Sequence, residues 1–282
     1  MSGENNKKVI LHGLESVEYE HNDEAELIKA LNRNVIINKV FDIASEYGIE
    51  RALVLEYTGS SIEVTSTNLS DIYNVFSSAC RILNIANKPR LYVENNYDIN
   101  AFASGINNPI VVITSGAIEK LTKQELLSVM GHELGHIKSR HMKYNLLQMA
   151  LPYIKNLIPG IGGLLTEGAM ILLYRFNRIA ELTADRAGLL ACQNIDVITT
   201  KFIKQSGYPV SYYDTINTAE FAKQYNDFQE INEKAFTKLV NTLTMLHATH
   251  PWTVNRAKEI NSWYASGEYD EILSRRIKLI GK

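Results

Sequence analysis

The segment Gly131-His132-Glu133-Leu134-Gly135-His136 carries two imidazoles and a carboxylate at a spacing suited to a metal. On an α-helix, residues four apart are separated by about 40° around the axis, so His132 and His136 project from one face and can take adjacent positions on one Zn2+ ion. Glu133 stands about 100° round from His132. From there it reaches a water on the metal without displacing it, which is what a general base must do. An isolated H-E-x-x-H turns up by chance in roughly one chain in a hundred of this size, so its surroundings must decide. Here Thr122 and Glu125 form a capping box ahead of Leu126, Leu127, Val129 and Met130, which places the motif inside a helix.

A catalytic zinc needs a third protein ligand and an open position. The extended form H-E-x-x-H-x-x-G-x-x-H fails, because the chain has Ser139 and Met142 at the two further positions. His141 lies about 140° from His136 and about 180° from His132 on the same helix, so it faces away from the metal and reads as a surface or second-layer residue. Glu181 is the better candidate, in Arg178-Ile179-Ala180-Glu181-Leu182-Thr183-Ala184-Asp185-Arg186. Glu181 and Asp185 are one helical turn apart and share a face, so Glu181 can bind the metal while Asp185 holds a ligand imidazole. The competing reading is a solvated acidic face paired with Arg178 and Arg186.

The elements that must position these residues point to an α+β fold, mainly helical, with a small β-sheet. From Asp23 to about Leu83 the pattern is mostly helical, interrupted by a hairpin expected from Ala52–Tyr57 and Ser61–Thr65 around Thr58-Gly59-Ser60. Strands are expected at Arg90–Val93, Asn100–Ala103 and Pro109–Thr114. The motif helix follows, then a helix from Ala169 to about Ala191, then helices over roughly Asp214–Leu279 broken at His250-Pro251. Residues 1–85 read as an N-terminal region packed on a catalytic domain of residues 86–282, since no flexible linker separates them.

With 282 residues, 45% of them hydrophobic, the chain can bury a sizeable core. A net charge of −2 with scattered charges gives no footprint for nucleic acid. Cys80 and Cys192 stand far apart, which excludes a cysteine zinc site. The first twelve residues lack the apolar stretch of a secretory signal, so a cytoplasmic location is the default expectation. The apolar region 146–174 is interrupted by Lys155 and Glu167 and broken by Pro152, Pro159 and Gly160. It is too broken to span a bilayer and reads as a packed helical hairpin turning near Pro159–Gly163, with peripheral membrane contact as the alternative.

Taken together, the motifs resemble the gluzincin metallopeptidases of family forty-eight, which include the HtpX-type proteases and the membrane-embedded CAAX prenyl endopeptidases. The resemblance covers about Leu91 to Arg256. It rests on Asn100-Ala101-Phe102-Ala103-Ser104-Gly105, on Gly131 to His141, on Glu181 to Asp185, and on His250-Pro251 with Arg256. It implies zinc ligands His132, His136 and Glu181, base Glu133 and a supporting Asp185. It also implies that Asn100, Ala101, Phe102 and Ala103 form an edge strand binding extended polypeptide substrate by β-augmentation. His250 would sit over the zinc, stabilising the oxyanion or capping the metal, with Arg256 orienting it; a turn ahead of a helix is the alternative for His250-Pro251. The broken 146–174 interval departs from the membrane-embedded relatives and argues against prenylated substrates. The expected function is therefore zinc-dependent endopeptidase action, and the alternative is a latent or non-catalytic zinc protein of the same fold that holds polypeptides.

Overall fold

The structure, a computed structural model, describes residues 8–154, 163–232 and 252–280. Helices α1 (Glu24–Arg33), α2 (Val35–Glu46), α3 (Ile49–Ser60) and α4 (Ser70–Ile82) come first, with strand β1 (Ile62–Val64) ahead of α4. Strands β2 (Arg90–Glu94), β3 (Ala101–Ser104) and β4 (Ile110–Thr114) follow. After them come the short α5 (Ser115–Lys120), then α6 (Lys123–Lys138), α7 (Met142–Ile154), α8 (Gly163–Cys192) and α9 (Ile195–Gln205). The described chain closes with α10 (Thr218–Asn232), α11 (Thr253–Ala265) and α12 (Glu268–Ile280). This is the expected mainly helical α+β architecture with a small sheet.

The sheet has the order β1-β2-β4-β3, with β2 and β4 parallel and both outer strands antiparallel to their neighbours. Alternation sorts its side chains into two layers. Leu91, Ala101, Val111 and Ile113 enter the main core with Phe76 of α4 and Leu127, Met130 and Leu134 of α6. Tyr92, Phe102, Ile110 and Val112 meet Val54 and Tyr57 of α3 on the opposite face.

That second layer corrects the hairpin expected at residues 52–65. Ala52–Tyr57 lies within helix α3, and only Ile62–Val64 is a strand, paired with β2 instead of with the preceding segment. The run Leu53-Val54-Leu55-Glu56-Tyr57 has β propensity, but a helix turns Val54 and Tyr57 together onto the sheet, where the Tyr57 and Phe102 rings lie 4.7 Å apart. Tertiary burial outweighs local preference there.

Helices α6 and α8 pack against each other with almost no side-chain layer between them. A Cβ added at Gly131 would stand 2.4 Å from the Ala191 methyl, and one at Gly135 would stand 2.6 Å from the Ala187 methyl. The two glycines therefore let the backbones approach closely. Gly135→Ala is expected to lower stability by about 1–3 kcal/mol through overpacking, read as a shift in the urea midpoint. An unchanged midpoint would mean that the helices do not cross this closely.

Residues of the first third are built into the same body. Val9 exchanges two hydrogen bonds with the Gln193 side chain, at 2.9 and 2.7 Å. Leu27 and Leu31 of α1 and Ile37 and Val40 of α2 share a core cluster with Tyr144 and Leu147 of α7 and Leu173 and Phe176 of α8. Both arms of the 146–174 region are thus helical, while its expected turn over residues 159–162 lies outside the described residues. Among the described residues, no helix is long and apolar enough to cross a membrane.

Candidate metal centre

The capping box at the start of α6 forms as expected. Thr122 N donates to the Glu125 carboxylate at 2.8 Å and Glu125 N donates to Thr122 Oγ1 at 3.3 Å. Glu125 also takes the ammonium of Lys204 at 2.8 Å, which neutralises a buried carboxylate. From this fixed start, α6 presents His132, Glu133 and His136 in its buried second half.

His132 Nε2 and His136 Nε2 stand 3.1 Å apart. Across from them on α8, Glu181 places Oε1 3.1 Å from His136 Nε2 and Oε2 3.5 Å from His132 Nε2. These three donors lie within 4.8 Å of one another and all three residues are buried. Two nitrogens held tetrahedrally at Zn–N distances of about 2.0 Å stand about 3.3 Å apart, so the donor spacing fits one metal ion. Buried imidazoles and a carboxylate aimed at a common point need something that shares charge among them.

What holds each donor is equally specific. His132 turns its other nitrogen, Nδ1, to Asp185 Oδ1 at 3.0 Å. The orientation leaves Nε2 directed at the common point, the usual arrangement behind a metal-ligating histidine. Asp185 is gripped bidentately by Arg256, through Nε to Oδ2 at 2.7 Å and Nη2 to Oδ1 at 2.6 Å. Lys201 Nζ lies 3.7 Å from the same carboxylate, and Arg256 Nη1 lies 3.4 Å from Glu181. Arg256, expected to orient His250, holds the carboxylate of Asp185. His250 lies outside the described residues.

Electrostatics follow from this packing. Burial alone would push the Asp185 carboxyl up, but Arg256 and then Lys201 hold it well below the usual carboxylate range. Burial would likewise depress His132; the charge of Glu181 and the Asp185 hydrogen bond outweigh it and raise the imidazole to about 9. Lys201 goes the other way, lowered by burial to about 8 despite the pull of Asp185. An arginine, whose guanidinium stays charged and forks onto both carboxylate oxygens, is therefore the firmer partner for Asp185.

His141 does not face away from the centre. Helix α6 ends at Lys138, and Arg140 adopts a left-handed φ of 59° that folds the chain back. His141 is fully buried, with Nδ1 2.8 Å from His136 Nδ1 and Nε2 2.8 Å from Glu24 Oε1. Its lowered pKa, caused by burial, marks a neutral imidazole. Sequence reasoning missed this contact because it extended the helix through residue 141, and no Gly or Asn marks the turn. Glu24 and Lys201 were missed as well, and nothing local in the sequence signals either.

The other predicted residues sit on the sheet. β3 (Ala101–Ser104) is the outermost strand beyond β4 and runs beside α6. Ala101 is buried, while Phe102 and Ala103 are partly exposed. Asn100 precedes the strand; its carbonyl accepts from Thr114 N at 3.0 Å and its side chain accepts from Ala101 N at 3.0 Å. Asn100 thus anchors the start of β3.

The family model described as peptidase family M48 matches residues 67–264. The chain belongs to peptidase family M48. A plastoglobule-localized metallopeptidase 48 of Arabidopsis thaliana chloroplasts is 32% identical over 228 residues, covering 80% of this chain and 66% of that protein. Protease HtpX homologues of Streptococcus mutans and Methanosarcina mazei are each 32% identical, over 103 and 102 residues, or 36% of this chain and 34% of theirs. The chain therefore spans just under two thirds of the plant relative and about one third of the HtpX homologues. M48 membership makes it a peptidase-family protein, and the His132, His136 and Glu181 cluster is where a metallopeptidase of this family would carry its metal.

Proposed function

We propose that the protein is a zinc-dependent endopeptidase that hydrolyses polypeptides, with His132, His136 and Glu181 as metal ligands and Glu133 as general base. The convergence of three buried donors from α6 and α8 within 4.8 Å carries this reading. Two nitrogens and one carboxylate oxygen, with no thiolate, form the donor set of a catalytic zinc site that keeps a position open. When bound, zinc supplies a Lewis acid that polarises the scissile carbonyl and makes water acidic enough to be deprotonated near neutral pH.

The chain's own residues do the rest. Glu133, one residue along α6 from His132, accepts the proton of the attacking water and returns it to the leaving amine. Asp185 fixes the plane of the His132 ring, and Arg256 keeps Asp185 ionised. The outer edge of β3, over Asn100, Ala101, Phe102 and Ala103, binds an extended substrate backbone by adding a strand, so that main-chain hydrogen bonds give broad sequence tolerance. In this reading residues 1–85 are an N-terminal region packed on a catalytic domain of residues 86–282, which the pairing of β1 with β2 and the packing of α1 on α8 support. His250 keeps its two candidate roles, oxyanion donor or metal cap.

Zinc content and cleavage of casein, measured together before and after stripping with a chelator, test the proposal. One zinc per chain, cleavage lost on stripping and restored by zinc, is the expected result. One zinc without cleavage would favour the polypeptide-holding alternative. No zinc uptake would overturn the reading.

A further inference from the structure

Glu24 is the first residue of α1 and its side chain is wholly buried, although the M48 family model begins only at residue 67. An ionised carboxylate in the interior costs several kcal/mol unless its oxygens are satisfied. Both are taken. Oε1 faces His141 Nε2 at 2.8 Å, and Oε2 accepts the hydroxyl of Thr183, which lies on α8 between Glu181 and Asp185. Thr183 Oγ1 in turn accepts His21 N at 2.9 Å, and the Phe176 ring closes edge-on over His141 with centroids 5.6 Å apart.

We infer that Glu24 is a positioning residue for the metal, acting on ligand His136 through His141 and thereby making the N-terminal helix a working part of the centre. The inference rests on His136 being a ligand. The polarity of the chain of contacts follows from that role. With Nε2 turned to the metal, neutral His136 carries its proton on Nδ1 and donates it to His141 Nδ1. His141 must then carry its own proton on Nε2, which it donates to Glu24. The carboxylate selects this arrangement, because an acceptor-only group at Glu24 requires the proton at His141 Nε2. It also makes His136 a better electron donor, as carboxylates behind ligand histidines do. The two ligand histidines are thus held by different devices: His132 directly by Asp185, His136 by an imidazole and carboxylate in series.

The test is metal affinity, measured by competition between a chromogenic chelator and the full chain for Zn2+, in wild type, Glu24→Gln, His141→Gln and the double variant. Gln at 24 keeps the shape and can still accept from His141 and donate to Thr183, so the fold is retained while the charge is lost. Glu24→Gln should weaken zinc binding about 10-fold and His141→Gln by up to about 100-fold. The double variant should bind no more weakly than His141→Gln, since both changes cut one path. Melting temperatures of the metal-free forms should lie close to wild type for Glu24→Gln. Wild-type affinity in Glu24→Gln, or losses that multiply in the double variant, would overturn the relay and leave Glu24 a structural tie. Should Glu24→Gln fail to fold, wild-type affinity in His141→Gln would overturn it equally. A wild-type chain that takes up no zinc would instead overturn the metal reading on which the relay rests.

Discussion

Glu133→Gln should keep one zinc per chain and the melting temperature of the wild type, while kcat/KM for casein or an unstructured peptide falls by about 100- to 10,000-fold. Gln has the size of Glu and can still hydrogen-bond to water, but it cannot take up a proton. Glu133 is buried beside His132 on α6, so the substitution alters a side chain already enclosed by the site. The loss should appear in kcat more than in KM, because the proton transfer occurs only as the carbonyl is attacked. Retention of more than a tenth of the activity with zinc in place would remove Glu133 from the base role.

The second large effect concerns stability. Arg256→Ala removes both short contacts to Asp185 and the 3.4 Å approach to Glu181, in a region where Arg256 itself is buried. Asp185 would be left as a buried carboxylate facing the His132 imidazole at 3.0 Å and Lys201 at 3.7 Å, and Lys201 is itself lowered to about 8 by burial. Breaking a buried pair by deleting one partner costs about 3–5 kcal/mol, and the partial compensation by Lys201 places the expectation near the lower end. The urea unfolding midpoint of the metal-free protein reads it. Arg256→Lys should recover little, because an ammonium cannot fork onto both oxygens. A change below about 1 kcal/mol in Arg256→Ala would show that Asp185 is solvated or neutral, against the pairing described here.

Much of this centre is legible in the sequence, because its core is written at helical spacing. His132 and His136 share one helix, with Glu133 about 100° round from His132, and Glu181 and Asp185 share another, so period alone places the two imidazoles on one face and the two carboxylates on another. The Thr122 and Glu125 capping box and the three strands after residue 90 are readable because each is written locally, in a three-residue spacing or in a short apolar run bounded by turn residues. The rest depends on contacts distant in sequence. Glu24 meets His141 across 117 positions, and Arg256 meets Asp185 across 71. Nothing local marks a buried carboxylate at the start of an otherwise amphipathic helix. The α3 segment shows the converse failure, where a β-rich run became a helix because Val54 and Tyr57 are needed on the back of the sheet. His141 was misplaced by a single dihedral at Arg140, a residue type that rarely adopts it.

The order in which the chain is synthesised gives these long-range contacts a further meaning. All three proposed metal donors have been made once residue 181 has emerged, but the guanidinium that balances Asp185 comes 71 positions after that aspartate. A nascent chain that has reached α9 therefore holds Glu24, His141 and every candidate donor, yet its Asp185 has His132 and Lys201 beside it and lacks the guanidinium that forks onto both oxygens. Contacts of such wide sequence separation form late in folding. The proposed proteolytic centre, closed by the penultimate described helix, would stay incomplete while the ribosome still holds the chain, when unfolded polypeptide, including its own, is nearest to hand.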